Sequence, residues 1–419
     1  MVVWSWLYLA VSALGALLVL NAFRPPRASY LLVPSFFAGW YTGEMPLLHI
    51  AWQAAATVGF GLAGAFSAWP GFVGLALALA SWAGLVALAH IARRAAAVFD
   101  LIDAEAALAV PDDLVLPATG RDTMWRFPRL VYPLPRPAPA VVVVDRNVDY
   151  VGDGTRAHRL DVIRRRLDPP TAGPVLLYIH GGAWVIGDKR EQGLPLLYEM
   201  ARRGWVTVTI NYGLSPRATW PDHIVDCKRA LAWVRHHIAD YGGDPTFVAV
   251  SGGSAGGHLC SLLALTPGDP AYQPGFEDVP TAVDACVPFY GVYDMTAGRG
   301  TSHYDVGLLS LLERRVFKAR YDDDPLPFDQ ASPLRRVSAA APPFFVVHGT
   351  HDTLVPVAEA RRFVEALRAV SPSPVLYAEL PYTQHAFDVL PSVRSAHAVA
   401  AVVRFLEGIR HQASLDFLT

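Results

Sequence analysis

Charge is scarce in this chain, and cysteine is scarcer. Of 419 residues only 17% are Asp, Glu, Lys or Arg, against 53% hydrophobic, and the formal net charge is -2. A near-neutral chain with no long lysine- or arginine-rich run lacks the electrostatic footprint of a nucleic-acid binder, which argues against nucleic acid as a partner. The three cysteines, Cys227, Cys260 and Cys286, form an odd, scattered set. They read as buried small apolar residues rather than as a disulfide framework or a zinc site. No group of histidines and acids has metal-ligand spacing, so no metal is expected.

The missing charge is concentrated at the N-terminus. Residues 1–23 carry no charged side chain, and a second uncharged stretch runs from Met45 to Ile91. Both exceed the ~20 residues that span a bilayer. Trp69-Pro70-Gly71 breaks the second stretch, so three membrane spans are expected, at 1–23, 47–67 and 72–91. Trp4, Trp6, Trp40, Tyr41, Trp52 and Trp69 mostly fall near their ends, where amphipathic rings sit at the headgroup level. The apolar piece from Tyr30 to Tyr41 contains Pro34 and reads as re-entrant or interfacial. A cleavable signal peptide is the rival for the first span, but no basic segment precedes it and no clear cleavage site follows. Arg24, Arg27, Arg93 and Arg94 lie in loops on one side, and the positive-inside bias places the C-terminal domain in the cytoplasm of a multi-pass membrane protein.

Three regions follow: a transmembrane domain over 1–94, a connector with cap helices over 95–140, and a catalytic domain over 141–419. A membrane-surface helix is the rival reading of the connector. In the last region β-rich runs alternate with helical periodicity. Strands are expected at Val141–Val144, Pro174–Ile179, Trp205–Ile210, Phe247–Val250, Ala285–Tyr290, Pro343–Val347 and Pro374–Leu380, with helices near 192–203, 222–240, 256–265, 356–370 and 394–410. Such alternation predicts an α/β fold, an open and mostly parallel sheet covered by helices on both faces. Ligands in these sheets bind at the carboxyl ends of the strands.

Gly252-Gly253-Ser254-Ala255-Gly256 lies between one such strand and a helix. A nucleophile on that turn needs strained backbone angles and small residues two before and two after it, which Gly252 and Gly256 supply. His180-Gly181-Gly182-Ala183-Trp184 directly follows another strand, and its backbone amides suit an oxyanion hole. Gly181, Gly182 and Ala255 are the candidate donors. A serine hydroxyl needs an imidazole to remove its proton and a carboxylate to orient that imidazole. Asp352 and His385 each follow a strand, and the order Ser254, Asp352, His385 is that of the α/β-hydrolases. His351 competes as base, and Asp388 is an alternative acid. His258, Ser251, Asp222 and Asp226 read as packing, hydrogen-bonding or capping residues.

These segments, with Asn211 to Pro216 and His348 to Pro356, make residues 141–411 resemble the hormone-sensitive-lipase-like branch of α/β-hydrolase carboxylesterases. The chain also looks like the membrane-anchored Lip-type esterases of actinobacteria and like prenylcysteine methylesterases. The resemblance implies cofactor-free hydrolysis of short- or medium-chain acyl esters through an acyl-enzyme, on a small-molecule acyl ester or lipid. Ser254 would be the nucleophile, His385 the base and then acid, and Asp352 its orienter. The sequence departs from that branch at Gly253, where many members carry an acid, and at Gly213, where they carry arginine. An amide or a prenylcysteine methyl ester as substrate, and a non-catalytic binding role, remain the alternatives. Tyr304, Leu308, Leu309, Leu311, Leu312 and Phe317 have helix-like spacing within a 295–329 insertion that reads as a lid, with plain packing over the core as the rival. Oligomeric state does not follow from these residues.

Overall fold

The computed structural model describes residues 2–26, 28–106, 138–166, 172–298, 305–390 and 392–416. Arg27, Tyr304 and most of the predicted connector lie outside the described residues. The chain begins with helices α1 (Val2–Phe23), α2 (Leu32–Glu44), α3 (Pro46–Leu62) and α4 (Trp69–Ala106). Pro34 sits in the first turn of α2, where a missing N–H breaks no helical bond.

The buried positions of α1 are Ser5, Tyr8, Ser12, Gly15, Val19 and Ala22, spaced alternately by three and four residues. Along α4, Gly71, Gly74, Ala78, Ser81, Leu85, Leu88, Ala92, Ala95 and Phe99 repeat that spacing. Small residues let the two helices approach closely: a Cβ on Gly84 would fall 2.5 Å from Val19, and one on Gly74 3.0 Å from Tyr8. The outward faces carry large apolar side chains, including Leu14, Leu17 and Leu20 on α1 and Phe72, Leu79 and Val86 on α4, all more than half exposed. Most of the buried positions are small or polar and many large apolar side chains face outward, the reverse of a water-soluble bundle.

Two helices, α1 and residues 69–100 of α4, are long and apolar enough to cross a membrane. The second expected span, 47–67, forms the 17-residue α3. The boundary expected at residue 94 falls inside α4, because its buried seam continues past Arg93 and Arg94. Phe99 packs edge-on against Phe345 of the sheet at 6.4 Å.

The strands are β1 (Val142–Asp149), β2 (Arg159–Arg165), β3 (Gly173–Ile179), β4 (Val206–Ile210), β5 (Gly243–Gly253), β6 (Ala285–Phe289), β7 (Phe344–Gly349) and β8 (Val375–Leu380). They form one sheet in the order β1-β2-β4-β3-β5-β6-β7-β8. Only β1–β2 and β2–β4 pair antiparallel. Helices α5 (Leu194–Arg202), α6 (Asp222–His237), α7 (Ala255–Leu265), α8 (Val306–Leu311), α9 (Leu326–Ala331), α10 (Val357–Val370) and α11 (Val393–Asp416) cover both faces. One core joins Val175, Leu177, Val248 and Val250 to α6, α7 and α10; the other joins Leu176, Tyr178, Ala249 and Phe345 to α5, α11 and the end of α4. The three cysteines are buried and unbridged. Strand β2 was not expected; its Arg159, Asp161, Arg164 and Arg165 hide the buried Leu160 and Val162.

Candidate active site

Parallel pairing carries the carboxyl ends of β3, β5, β7 and β8 to one edge, so the turns that follow them converge. Ser254 follows β5 and caps α7 with φ 58° and ψ -121°. A non-glycine residue there is strained by ~1–3 kcal/mol, and its surroundings must hold it. They do so by exclusion: a Cβ at Gly252 would lie 2.5 Å from Gly256 O, and one at Gly256 would lie 2.0 Å from Ile179 O. The Ser254 amide donates to Phe289 O at 3.0 Å, fixing the turn to β6.

The loop after β3 runs directly past the serine. A Cβ at Gly181 would sit 3.0 Å from Ser254 Cβ. The Gly181 amide donates to Gln192 Oε1 at 2.8 Å, a partner that no local motif marks. The amides of Gly182 and Ala255 have no protein acceptor among the described residues. Gly182 adopts φ 122°, and Ala183 and Trp184 also have positive φ. His180, stacked on Tyr212 at 4.6 Å, anchors the loop, and burial pushes its imidazole down to about 4.

Asp352 and His385 meet across the ends of β7 and β8, with His385 Nδ1 2.6 Å from Asp352 Oδ2. Asp352 Oδ1 accepts the amides of Leu354 at 2.9 Å and Val355 at 2.8 Å. His348 Nε2 lies 3.3 Å from the same Oδ2. Burial alone would raise the Asp352 carboxyl, but the His385 imidazole and the His348 and His385 hydrogen bonds outweigh it and hold the group well below the usual carboxylate range. Gln384 Oε1 accepts the amides of Thr353 and His385, at 2.8 and 2.9 Å, and so ties the two loops together.

Tyr290, at the end of β6, links the serine turn to the histidine. A Cβ at Gly253 would fall 2.8 Å from its hydroxyl, and its ring centroid is 4.5 Å from that of His385. Its hydroxyl donates to Asp388 Oδ1. The ring thus fills the space a side chain at 253 would need. Among the described residues no hydrogen bond joins Ser254 Oγ to His385; unliganded sites often close that bond only around substrate.

The rivals have other partners. His351 bonds Thr350 Oγ1 and Phe23 O, and His258 bonds Trp184 Nε1 and Ala331 O. Ser251 donates to Val287 O, Asp226 accepts the Gly213 amide, and Asp222 accepts the Thr219 amide. In the 295–329 insertion, Leu309, Leu312 and Phe317 join the core of the sheet, and Trp220 donates its amide to Val316 O. No group of metal-ligating side chains occurs among the described residues.

The BD-FAE family matches residues 162–367. Esterase LipC of Mycobacterium tuberculosis is 42% identical over 294 residues, covering 68% of this chain and 72% of LipC. The chain belongs to the Lip-type esterase family. Another Lip-type relative from the same organism, the probable carboxylic ester hydrolase LipM, is 56% identical over 263 residues, 62% of this chain; that match spans 60% of the length of LipM. Esterase B from Lactobacillus rhamnosis superposes on the Lip-type chain with a TM-score of 0.57 at 19% identity, covering 67% of this chain and 90% of that one, which establishes the α/β-hydrolase fold.

Proposed function

We propose that this chain is a membrane-anchored serine carboxylesterase that hydrolyses small acyl esters through an acyl-enzyme. The observation that carries the reading is the strained Ser254 turn at the same sheet edge as the 2.6 Å His385–Asp352 pair. Ser254 Oγ attacks the acyl carbonyl while His385 Nε2 takes its proton, and Asp352 holds Nδ1 protonated. The tetrahedral oxyanion is received by the amides of Gly182 and Ala255, and the Gly181 amide, bonded to Gln192, holds the loop that presents them. Collapse expels the alcohol with the proton from His385. Water then attacks the acyl-enzyme with His385 as base, releasing the acid.

Membrane anchoring rests on the inverted pattern of α1 and α4, whose large apolar faces have no protein covering among the described residues. The arginines near the span ends favour a cytoplasmic catalytic domain. The test is hydrolysis of p-nitrophenyl acetate, butyrate and octanoate by the purified full chain and by Ser254→Ala. Turnover by the wild type alone supports the proposal; equal turnover by both refutes it.

A further inference from the structure

Helix α2, formed by the piece expected to be re-entrant or interfacial, lies across both catalytic loops. Leu32 O accepts Thr353 Oγ1 at 3.1 Å beside Asp352, and Trp40 Nε1 donates to Ala386 O at 2.9 Å beside His385. Between them the Phe36 ring meets the His385 imidazole edge-on, with centroids 5.9 Å apart, and stacks on Trp40 at 6.0 Å. Tyr290 covers the imidazole from β6, so Phe36 is its neighbour on the N-terminal side. Ser35 and Asn21 exchange two hydrogen bonds, at 2.7 and 3.0 Å, and bind α2 to α1. The outward face of α2 carries Val33, Phe37 and Tyr41, 55%, 57% and 47% exposed at four-residue spacing. Like the outward faces of α1 and α4, it is apolar and exposed.

The chemistry assigns a role to this position. Because Nδ1 is bonded to Asp352, the mobile proton travels on Nε2, and in ester cleavage it passes to the departing alcohol oxygen as the C–O bond breaks. The alcohol oxygen therefore sits within hydrogen-bond reach of His385, and its carbon chain leaves the site beside that imidazole. On the mechanism proposed above, we infer that α2 forms the leaving-group subsite: Phe36 contacts an apolar alcohol moiety, which reaches the site along the bilayer-facing side of α2. The acyl chain, held by the carbonyl carbon that Ser254 attacks, extends away from the alcohol oxygen. The substrate class is an ester of an apolar, membrane-partitioned alcohol, and Phe36 is a specificity residue for its alcohol half.

The experiment uses the full chain in phosphatidylcholine vesicles with two ester series. In one the acyl group is fixed and the alcohol lengthens, from ethyl to hexyl to decyl acetate. In the other the alcohol is fixed, from ethyl acetate to hexanoate to decanoate. In the wild type the decyl-to-ethyl acetate ratio of kcat/KM exceeds one. In Phe36→Ala that ratio falls about tenfold while the decanoate-to-acetate ratio changes by less than about twofold, the scale expected when apolar contacts to one half of a substrate are lost. Phe36→Leu, which keeps an apolar side chain on the helix, gives an intermediate ratio and serves if the alanine variant does not fold. A shift in the acyl ratio instead, or no shift in either, overturns the subsite while leaving the esterase reading intact. Absence of turnover of every ester by the wild type overturns both.

Discussion

Glu44 at the end of α2 and Arg394 at the start of α11 form a 2.7 Å ion pair, with each side chain about 1% exposed. Arg394 also donates to Gly43 O at 2.8 Å, and Ser392 Oγ donates to Glu44. The pair fastens the N-terminal helices to the element that follows the His385 loop. Removing one partner leaves a buried charge, which costs about 3–5 kcal/mol, whereas replacing both by apolar residues is near neutral. Glu44→Ala is expected to lower the melting temperature of the detergent-solubilised chain by roughly 10 °C, and Glu44→Met with Arg394→Leu to restore most of it. Equal losses in the single and double variants would contradict the fastening role.

Asp352→Asn separates orientation from folding. An asparagine Oδ1 can still accept the Leu354 and Val355 amides, but its NH2 faces His385 Nδ1 where an acceptor is needed. The expected result is a kcat loss of about 10⁴-fold, from the wrong tautomer, with little change in melting temperature. Steady-state kinetics beside a thermal melt reads both.

Gln192 contributes through the Gly181 amide. Gln192→Ala removes the acceptor of that buried N–H and loosens the loop carrying Gly182, so kcat is expected to fall about tenfold with a smaller change in KM. Gln192→Glu keeps an acceptor oxygen and recovers part of the rate. Loss in KM alone would assign Gln192 to substrate binding instead.

Asp388 carries a pH signature. Burial pushes its carboxyl up to about 6, with the Tyr290 hydrogen bond opposing the shift. The fold therefore favours the protonated form, so the contribution is complete below the unfolded value of about 3.9 and is lost as pH rises through about 6. Asp388→Asn keeps an acceptor for Tyr290 and cannot ionise. Its melting temperature relative to the wild type should climb between pH 4 and 7, and a constant difference would contradict the assignment.

The sequence made the reactive turns legible because their geometry is written in small residues: Gly252 and Gly256 touch backbone, and nothing larger fits. Asp352 and His385 were legible for a related reason, each following an apolar strand. Other elements were hidden by compensation. In β2 the charge of Asp161 looks solvated but is buried and paired with Arg190 at 2.7 Å. In α2, Pro34 looks like a breaker, yet it occupies the first turn. In α4, Arg93 and Arg94 mimic the end of a span although the buried seam runs on to Phe99. Gln192, Tyr290 and Phe36 carry no local pattern at all, since their roles come from contacts between distant segments.

Labelling of the full chain with a fluorophosphonate probe, followed by peptide mass spectrometry, tests the central claim most directly. A single adduct on the Ser254 peptide, lost in Ser254→Ala and strongly slowed in His385→Ala, is the predicted result. An adduct on another serine, or undiminished labelling of Ser254→Ala, would contradict it.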